Sequence, residues 1–464
     1  MARLADAALG GLAGRKELFL QELLAYCRQP SVAATGEGME AMAGLVSRTL
    51  ERLGAEVEWW HGPGAFPVIY GRLERGAPVT LLFYNHYDVQ PPEPLERWTS
   101  PPFEPRLAGD RLHARGVADD KGALLARLHA VELLQQVAGG IPVNVIFLVE
   151  GGEEVGSPGL GRLLSAHRRQ LQADGCLWEG GEIGAHGRLE VEAGCKGMLY
   201  VELVVRGPRE DLHSSLAGLA PNPVWHLLEA LRTLYDPGSG RILVDGFYDR
   251  VRPPSPEELS LVDAYPLDEG ALAQAWGLVE LESRRQGRTA PRALFVEPTC
   301  NVSGIFAGYA GPGSKTVLPS EARARVDFRL VPNQSASDCL RKLEHHLARR
   351  GFRDVRVVDG GSEDPGQSPL DHPLVERVAA AARETYGVDP ILKPRSAGTG
   401  PAALFVDTLG LPVVNGPGVA YHGSGPHAPD EHIRLGDYWR GIEHVVRLLA
   451  GFDAEDGLLK GRPQ

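Results

Sequence analysis

Cysteine is scarce in this chain: five in 464 residues, and Cys27, Cys176, Cys195, Cys300 and Cys339 never fall in a Cys-x-x-Cys pair. An odd, scattered set indicates neither a disulfide framework nor a thiolate zinc site, so the cysteines read as reduced core residues. Basic charge is also short, with 48 Lys and Arg against 60 Asp and Glu and a formal net charge of −12. No basic stripe is left to track phosphates, which argues against nucleic acid and anionic membrane as partners. No apolar run approaches the ~20 residues of a transmembrane helix. Lys16 and Glu17 interrupt the nearest approach to a signal peptide. These absences leave the expectation of a soluble globular protein, with the cytoplasm as its default location.

What is present is a large apolar fraction, 43% of 464 residues, enough for two packed domains. The apolar runs Val79–Tyr84 and Val143–Val149 predict buried strands of a parallel sheet. Between them, Leu124, Leu128, Val131 and Leu134 recur at helical spacing, which predicts an amphipathic helix packed on that sheet, a βαβ pattern. From about Met198 the pattern changes. Leu199, Val201, Leu203 and Val205 alternate with Tyr200, Glu202 and Val204, and Arg323, Arg325, Asp327 and Arg329 alternate with Ala324, Val326, Phe328 and Leu330. Such half-exposed strands predict an antiparallel sheet, backed by a helix over 335–347. Helix over 374–386, strand over 411–415 and helix over 438–449 then return the chain to the first domain. The expected fold class is α/β: a mostly parallel catalytic sheet flanked by helices (1–197 and 363–464), with a smaller inserted α+β domain (198–362).

Chemistry-bearing residues gather where the predicted strands end. His86 and Asp88 follow the first strand, Glu153 and Glu154 the second, and Asp119 and Glu179 complete a set of metal-ligand types. Imidazole nitrogen and carboxylate oxygen are the ligands zinc takes in catalytic sites, and a two-metal site needs one carboxylate to bridge the ions. Asp119 is the expected bridge, with Glu154 and Glu179 as terminal ligands. Asp88 is placed to accept the second ring N–H of His86 and orient it. Glu153 is left as general base for a metal-activated water. His427 is the candidate second histidine, but spacing does not separate it from His113, His422 and His432.

With these residues in view, the chain resembles the M20 family of zinc peptidases and deacylases along essentially its whole length. The resemblance rests on His86-Tyr87-Asp88-Val89-Gln90-Pro91, on 115–122 (RGVADDKG), on 150–157 (EGGEEVGS), on 211–215, on 315–320 and on 328–333. It selects His427, in the segment Pro426-His427-Ala428-Pro429-Asp430-Glu431. It implies His86, Asp119 and Glu179 on one metal and Asp119, Glu154 and His427 on the other: two divalent ions, zinc first, with manganese or cobalt as substitutes. It also implies a homodimer formed through the inserted domain, in which His213 reaches the partner's site to hold the oxyanion. Arg329, Thr316, Gly398 and Thr399 match positions that hold the substrate's carboxylate end. The motif spacing of the first half is similar to carnosinase-like dipeptidases, whereas Glu at 179 is similar to the deacylases. The expected activity is therefore hydrolysis of a dipeptide or small carboxylate-bearing amide. An N-acyl-amino-acid deacylase is the alternative, and a catalytically silent dimer the rival from another class.

Overall fold

The computed structural model describes residues 2–137 and 140–452, so residues 1, 138–139 and 453–464 of the expected catalytic segments lie outside the description. The chain forms two compact units: Met1–Gly194 with Gln367–Pro394 and Pro401–Gln464, and Cys195–Gly366 with Arg395–Gly400.

The first unit is built on a six-stranded sheet in the order Glu56–Trp60, Val68–Leu73, Asn144–Glu150, Thr80–His86, Gly175–Leu177, Val413–Val414. The first two pairings are antiparallel. The other three are parallel, as the βαβ pattern demands. Leu81, Leu82, Phe83 and Tyr84 are fully buried, so both faces of their strand are covered, which explains a continuous apolar run in place of alternation.

The crossover helix Lys121–Gln135 is more deeply embedded than its apolar stripe suggests, since every residue from Lys121 to Leu134 is buried. Besides the sheet it packs against the terminal helix Leu435–Ala450 and the N-terminal helices. Gly122 makes its entry possible: a Cβ there would lie 2.2 Å from the Val117 carbonyl oxygen. The buried Lys121 ammonium donates to the carbonyls of Tyr26 (3.2 Å) and Gln29 (2.7 Å), completing the C-terminal end of helix Leu12–Arg28 with a cation.

The second unit holds a four-stranded antiparallel sheet in the order Thr299–Ala307, Glu321–Leu330, Gly197–Arg206, Arg356–Glu363. Leu199, Val201, Leu203 and Val205 line one face with Ala322, Ala324, Val326, Phe328 and Leu330, and helices Pro223–Arg232 and Ala336–Arg349 cover it. On the other face the arginine row meets acid from the neighbouring strand, Arg323 and Arg325 lying 3.1 and 3.5 Å from Glu202. The segment Arg395–Gly400 belongs here because Lys196 N–H donates to the carbonyls of Ser396 (3.2 Å) and Gly398 (3.1 Å). Among the described residues no helix is long and apolar enough to cross a membrane.

His444 makes the fold's stability sensitive to pH. It is fully buried, its Nε2 donates to the Val378 carbonyl (2.9 Å), and its Nδ1 has no partner among the described residues. Burial pushes its pKa down from 6.5 to about 4. The unfolded chain therefore takes up a proton near pH 6.5 that the folded protein refuses until about pH 4. Stability is fully present above the first value and lost as pH falls toward the second, by at most about 3 kcal/mol. Denaturant unfolding of wild type and His444→Gln between pH 7 and 4 should give a shallower pH dependence in the variant; equal slopes would remove this residue from the acid response.

Candidate active site

Three strand ends of the first unit bring the chemistry together. His86 is the last residue of its strand and only 1% exposed. Its Nε2 lies 3.0 Å from Asp119 Oδ1 and 3.7 Å from Glu179 Oε2. The other oxygen of Asp119 is 3.1 Å from His427 Nε2, which in turn is 3.2 Å from Glu154 Oε2. Asp119 thus stands between two imidazoles with one oxygen toward each, and Glu179 and Glu154 close the two ends.

The local sequence fixes each of these groups. Asp88 is fully buried, and its carboxylate accepts the N–H groups of Glu153 (3.3 Å) and Glu154 (3.0 Å), shaping the 3₁₀ turn Glu153–Val155. The nearest acceptor for His86 Nδ1 is the main-chain oxygen of Asp88 at 3.0 Å, with the carboxylate oxygen at 3.4 Å. Asp88 therefore orients the ring mainly through its backbone and spends its side chain on the Glu153 turn. Gly151 is required beside it, because a Cβ would lie 2.2 Å from the Tyr87 hydroxyl. On the far side, Glu431 accepts N–H bonds from Gly116 (2.8 Å), Ala118 (2.8 Å) and Asp119 (3.2 Å) and pairs with Arg115 at 2.9 Å. Arg115 also donates to the His427 carbonyl at 3.4 Å, so one buried pair ties the segment of Asp119 to that of His427.

Electrostatics explain what such a cluster requires. Burial, and then the charge of Glu153, pushes Glu179 far above the ordinary carboxylate range; burial and the neighbouring Asp119 and Glu154 do the same to Glu153. Desolvation also works to raise Asp119, but hydrogen bonds from His427 and His86 outweigh it and hold this carboxyl low. Hydrogen bonds to Asp119 and Glu154 push His427 up to about 10. The imidazoles thus act as counter-cations for the carboxylates, a role a divalent ion fills better because it displaces the ring proton. Glu179 Oε2 is buried without a hydrogen-bond partner among the described residues, as a ligand oxygen would be. By donor chemistry and by this orphan oxygen, the residues fit divalent metal.

Asp120 is the addition that sequence reasoning did not single out. Its ligand atom groups with those of His86 and Glu179, while Asp119, Glu154 and His427 form a second group. Asn85 and the Gly180 N–H hold the Asp120 carboxylate. The doubled aspartate in 119–120 was the available signal. The competing histidines serve structure: His432 bonds the Tyr421 hydroxyl at 2.6 Å and stacks on His113. His422 lies outside both ligand groups.

The remaining candidates lie in the second unit. His213 is exposed and pairs in register with Val317, next to Thr316, whose carbonyl accepts the Ser214 N–H. Ser215 occupies His213 Nδ1, through its hydroxyl at 2.8 Å and its N–H at 3.2 Å. Arg329 donates to the Thr399 hydroxyl at 2.6 Å, and Gly398 is anchored through its carbonyl to Lys196.

A mixed sheet whose parallel strand ends collect two carboxylate–imidazole groups, with Asp119 within reach of both imidazoles, points to a class, the metal-dependent hydrolases. Comparison narrows it: residues 82–451 match the profile of peptidase family M20/M25/M40. A solved M20 family metallo-carboxypeptidase from Sulfolobus solfataricus is 39% identical, superposes with a TM-score of 0.88, and the match covers 93% of this chain and 98% of that one. The Cys-Gly metallodipeptidase of Schizosaccharomyces pombe is 27% identical, over 92% of this chain and 94% of its own length. Human Beta-Ala-His dipeptidase is 28% identical, over 89% and 84%. The chain belongs to peptidase family M20/M25/M40 and is a metallopeptidase.

The shared-aspartate arrangement predicts that His86→Ala and His427→Ala each lower the divalent metal bound by the purified protein, measured by elemental analysis. Wild-type metal content in both variants would sink the ligand assignment.

Proposed function

We propose that the protein is a two-metal dipeptidase that removes a C-terminal residue from dipeptides or equally small amides, with Glu153 as general base. The observation that carries this reading is Asp119, which presents one oxygen to each imidazole, with Glu153 on the turn that also bears Glu154. His86, Asp119 and Glu179 would hold one ion and Asp119, Glu154 and His427 the other. Zinc suits the donor set, and such ions supply Lewis acidity and a lowered water pKa. Glu153 then takes a proton from the attacking water and returns it to the leaving amine. Asp88 is a positioning residue, since its carboxylate binds the N–H groups at Glu153 and Glu154. A fork such as Arg329, held by Thr399 beside Gly398, suits a substrate carboxylate; Thr316, whose carbonyl accepts the Ser214 N–H next to His213, is the further substrate contact of this reading. The relatives named for Cys-Gly, Beta-Ala-His and carboxypeptidase activity all act at a residue with a free carboxyl end, which favours this orientation.

His213 is the proposed oxyanion donor, supplied to the partner subunit of a homodimer. Its Nε2 is left for such a role once Ser215 has taken Nδ1. Support for a subunit contact comes from exposed apolar groups on the second unit: Val302, Ile305 and Phe306 on the sheet's edge strand, and Trp225 and Leu228 on helix Pro223–Arg232. Free cysteines throughout agree with a cytoplasmic setting.

Glu153→Gln keeps the shape but accepts no proton. Turnover of a dipeptide should fall by ~10²–10⁴ at unchanged metal content, and near-normal turnover would move the base elsewhere. A panel of dipeptides against N-acetyl and N-succinyl amino acids separates this reading from the deacylase that Glu179 keeps in contention. For His213, mixing the His213→Ala and Glu153→Gln variants should create one intact composite site per heterodimer. Activity should then rise well above both parents, because an oxyanion donor is worth ~10²–10³ in rate. No rise after verified subunit exchange assigns His213 to its own chain.

A further inference from the structure

The outer face of the second unit's sheet carries an opposite-charge pair that the mechanism above does not use. Met198 pairs in register with Arg329 on one side and Glu363 on the other. Residues directly opposite across strands share a face, and their neighbours Leu199, Phe328 and Leu330 point into the core. Arg329, Met198 and Glu363 therefore form one row on the opposite face, with Arg329 and Glu363 two strand spacings apart, about 9–10 Å at the backbone.

Neither end of the row is ion-paired among the described residues. Among the described residues Arg329 makes one side-chain bond, to Thr399, and has no carboxylate within ion-pair distance. Glu363 Oε2 is buried and has no hydrogen-bond partner among the described residues. Burial pushes the Glu363 carboxyl up to about 7, with Arg329 the charge that draws it back down. A buried carboxylate left this way is costly, and a cationic donor placed against it removes the cost. Met198 between the two is partly buried and unbranched, a surface suited to an aliphatic stem.

Carboxylate acceptor, apolar floor and cation acceptor in line are the complement of an amino acid that ends the chain in a basic side chain. We propose that Glu363 is a specificity-determining residue that, together with Arg329 and Met198, selects substrates whose C-terminal residue is lysine or arginine. The substrate's α-carboxylate lies on Arg329, its methylenes cross Met198, and its ammonium or guanidinium meets Glu363. This assignment rests on the reading of Arg329 as the carboxylate anchor.

The test is the ratio of kcat/KM for Ala-Lys over Ala-Leu, measured with metal-loaded wild type, Glu363→Gln and Glu363→Lys. A ratio is insensitive to the fraction of active protein, so partial misfolding of a variant does not blur it. In wild type the ratio should exceed one. It should fall about tenfold in Glu363→Gln, the loss of one charge-assisted bond, chiefly through KM. In Glu363→Lys, Ala-Glu should overtake Ala-Lys. A ratio that Glu363→Gln leaves unchanged overturns the proposal while the peptidase reading stands. Absence of turnover on every dipeptide, with N-acyl amino acids cleaved instead, overturns the dipeptidase reading; the ratio for N-acetyl-lysine over N-acetyl-leucine then decides on Glu363 by the same criterion.

Discussion

Acid packed against acid is the constraint on which the first unit depends. Asp119, Glu153, Glu154 and Glu179 converge with Asp88 and Asp120 on a small volume, where carboxylates repel and burial penalises each charge. The fold tolerates this only because every surrounding segment is fixed by bonds of its own. Asp88 takes the N–H groups of the Glu153 turn. Glu431 takes those leading into Asp119. Arg115 holds the carbonyl of His427. Without the positive charge that the imidazoles supply, the cluster would be a source of repulsion; with it, the carboxylates are held in two groups that could hold metal ions.

The same logic explains why the site sits at strand ends. A parallel sheet delivers its strands to one edge in register, so His86 and Glu150 are paired residues and their loops emerge side by side. Loops leaving such an edge need not bury unsatisfied backbone if short carboxylates cap them, which is how Asp88, Asp120 and Glu431 are used. Rigid scaffold and charged loops are therefore parts of one design: the sheet fixes the origin of each loop, and buried acids fix its path.

In the second unit the demand is different. Its sheet buries one face against two helices and leaves a charged face, where strand register alone decides which side chains are neighbours. There a residue acquires meaning from the strand beside it. Arg323 and Arg325 become partners of Glu202, while Arg329, bonded to Thr399, and Glu363, whose Oε2 has no hydrogen-bond partner among the described residues, flank Met198. One periodic arginine row thus holds both the ion pairs to Glu202 and, at Arg329, a bond to Thr399.

Much of this was written in the sequence because it is local. Continuous apolar runs specified the doubly covered strands, alternation specified the one-faced sheet, and the runs ending at His86 and before the Glu153–Glu154 pair pointed to the strand ends where the carboxylates and imidazoles meet. Those signals depend on period and on adjacency along the chain, which sequence displays directly. The deep burial of helix Lys121–Gln135 was less legible, since helices distant in sequence supply its second cover. Asp120 joining His86 and Glu179, the main-chain oxygen of Asp88 meeting the His86 ring, and Glu431 binding a segment more than three hundred positions earlier depended on tertiary structure. So did the row of Arg329, Met198 and Glu363. Each is a contact between segments whose separation along the chain is long and whose geometry is set by packing. The sequence carried the ligand types and the strands that bear them; only the folded chain decided which oxygen faces which nitrogen.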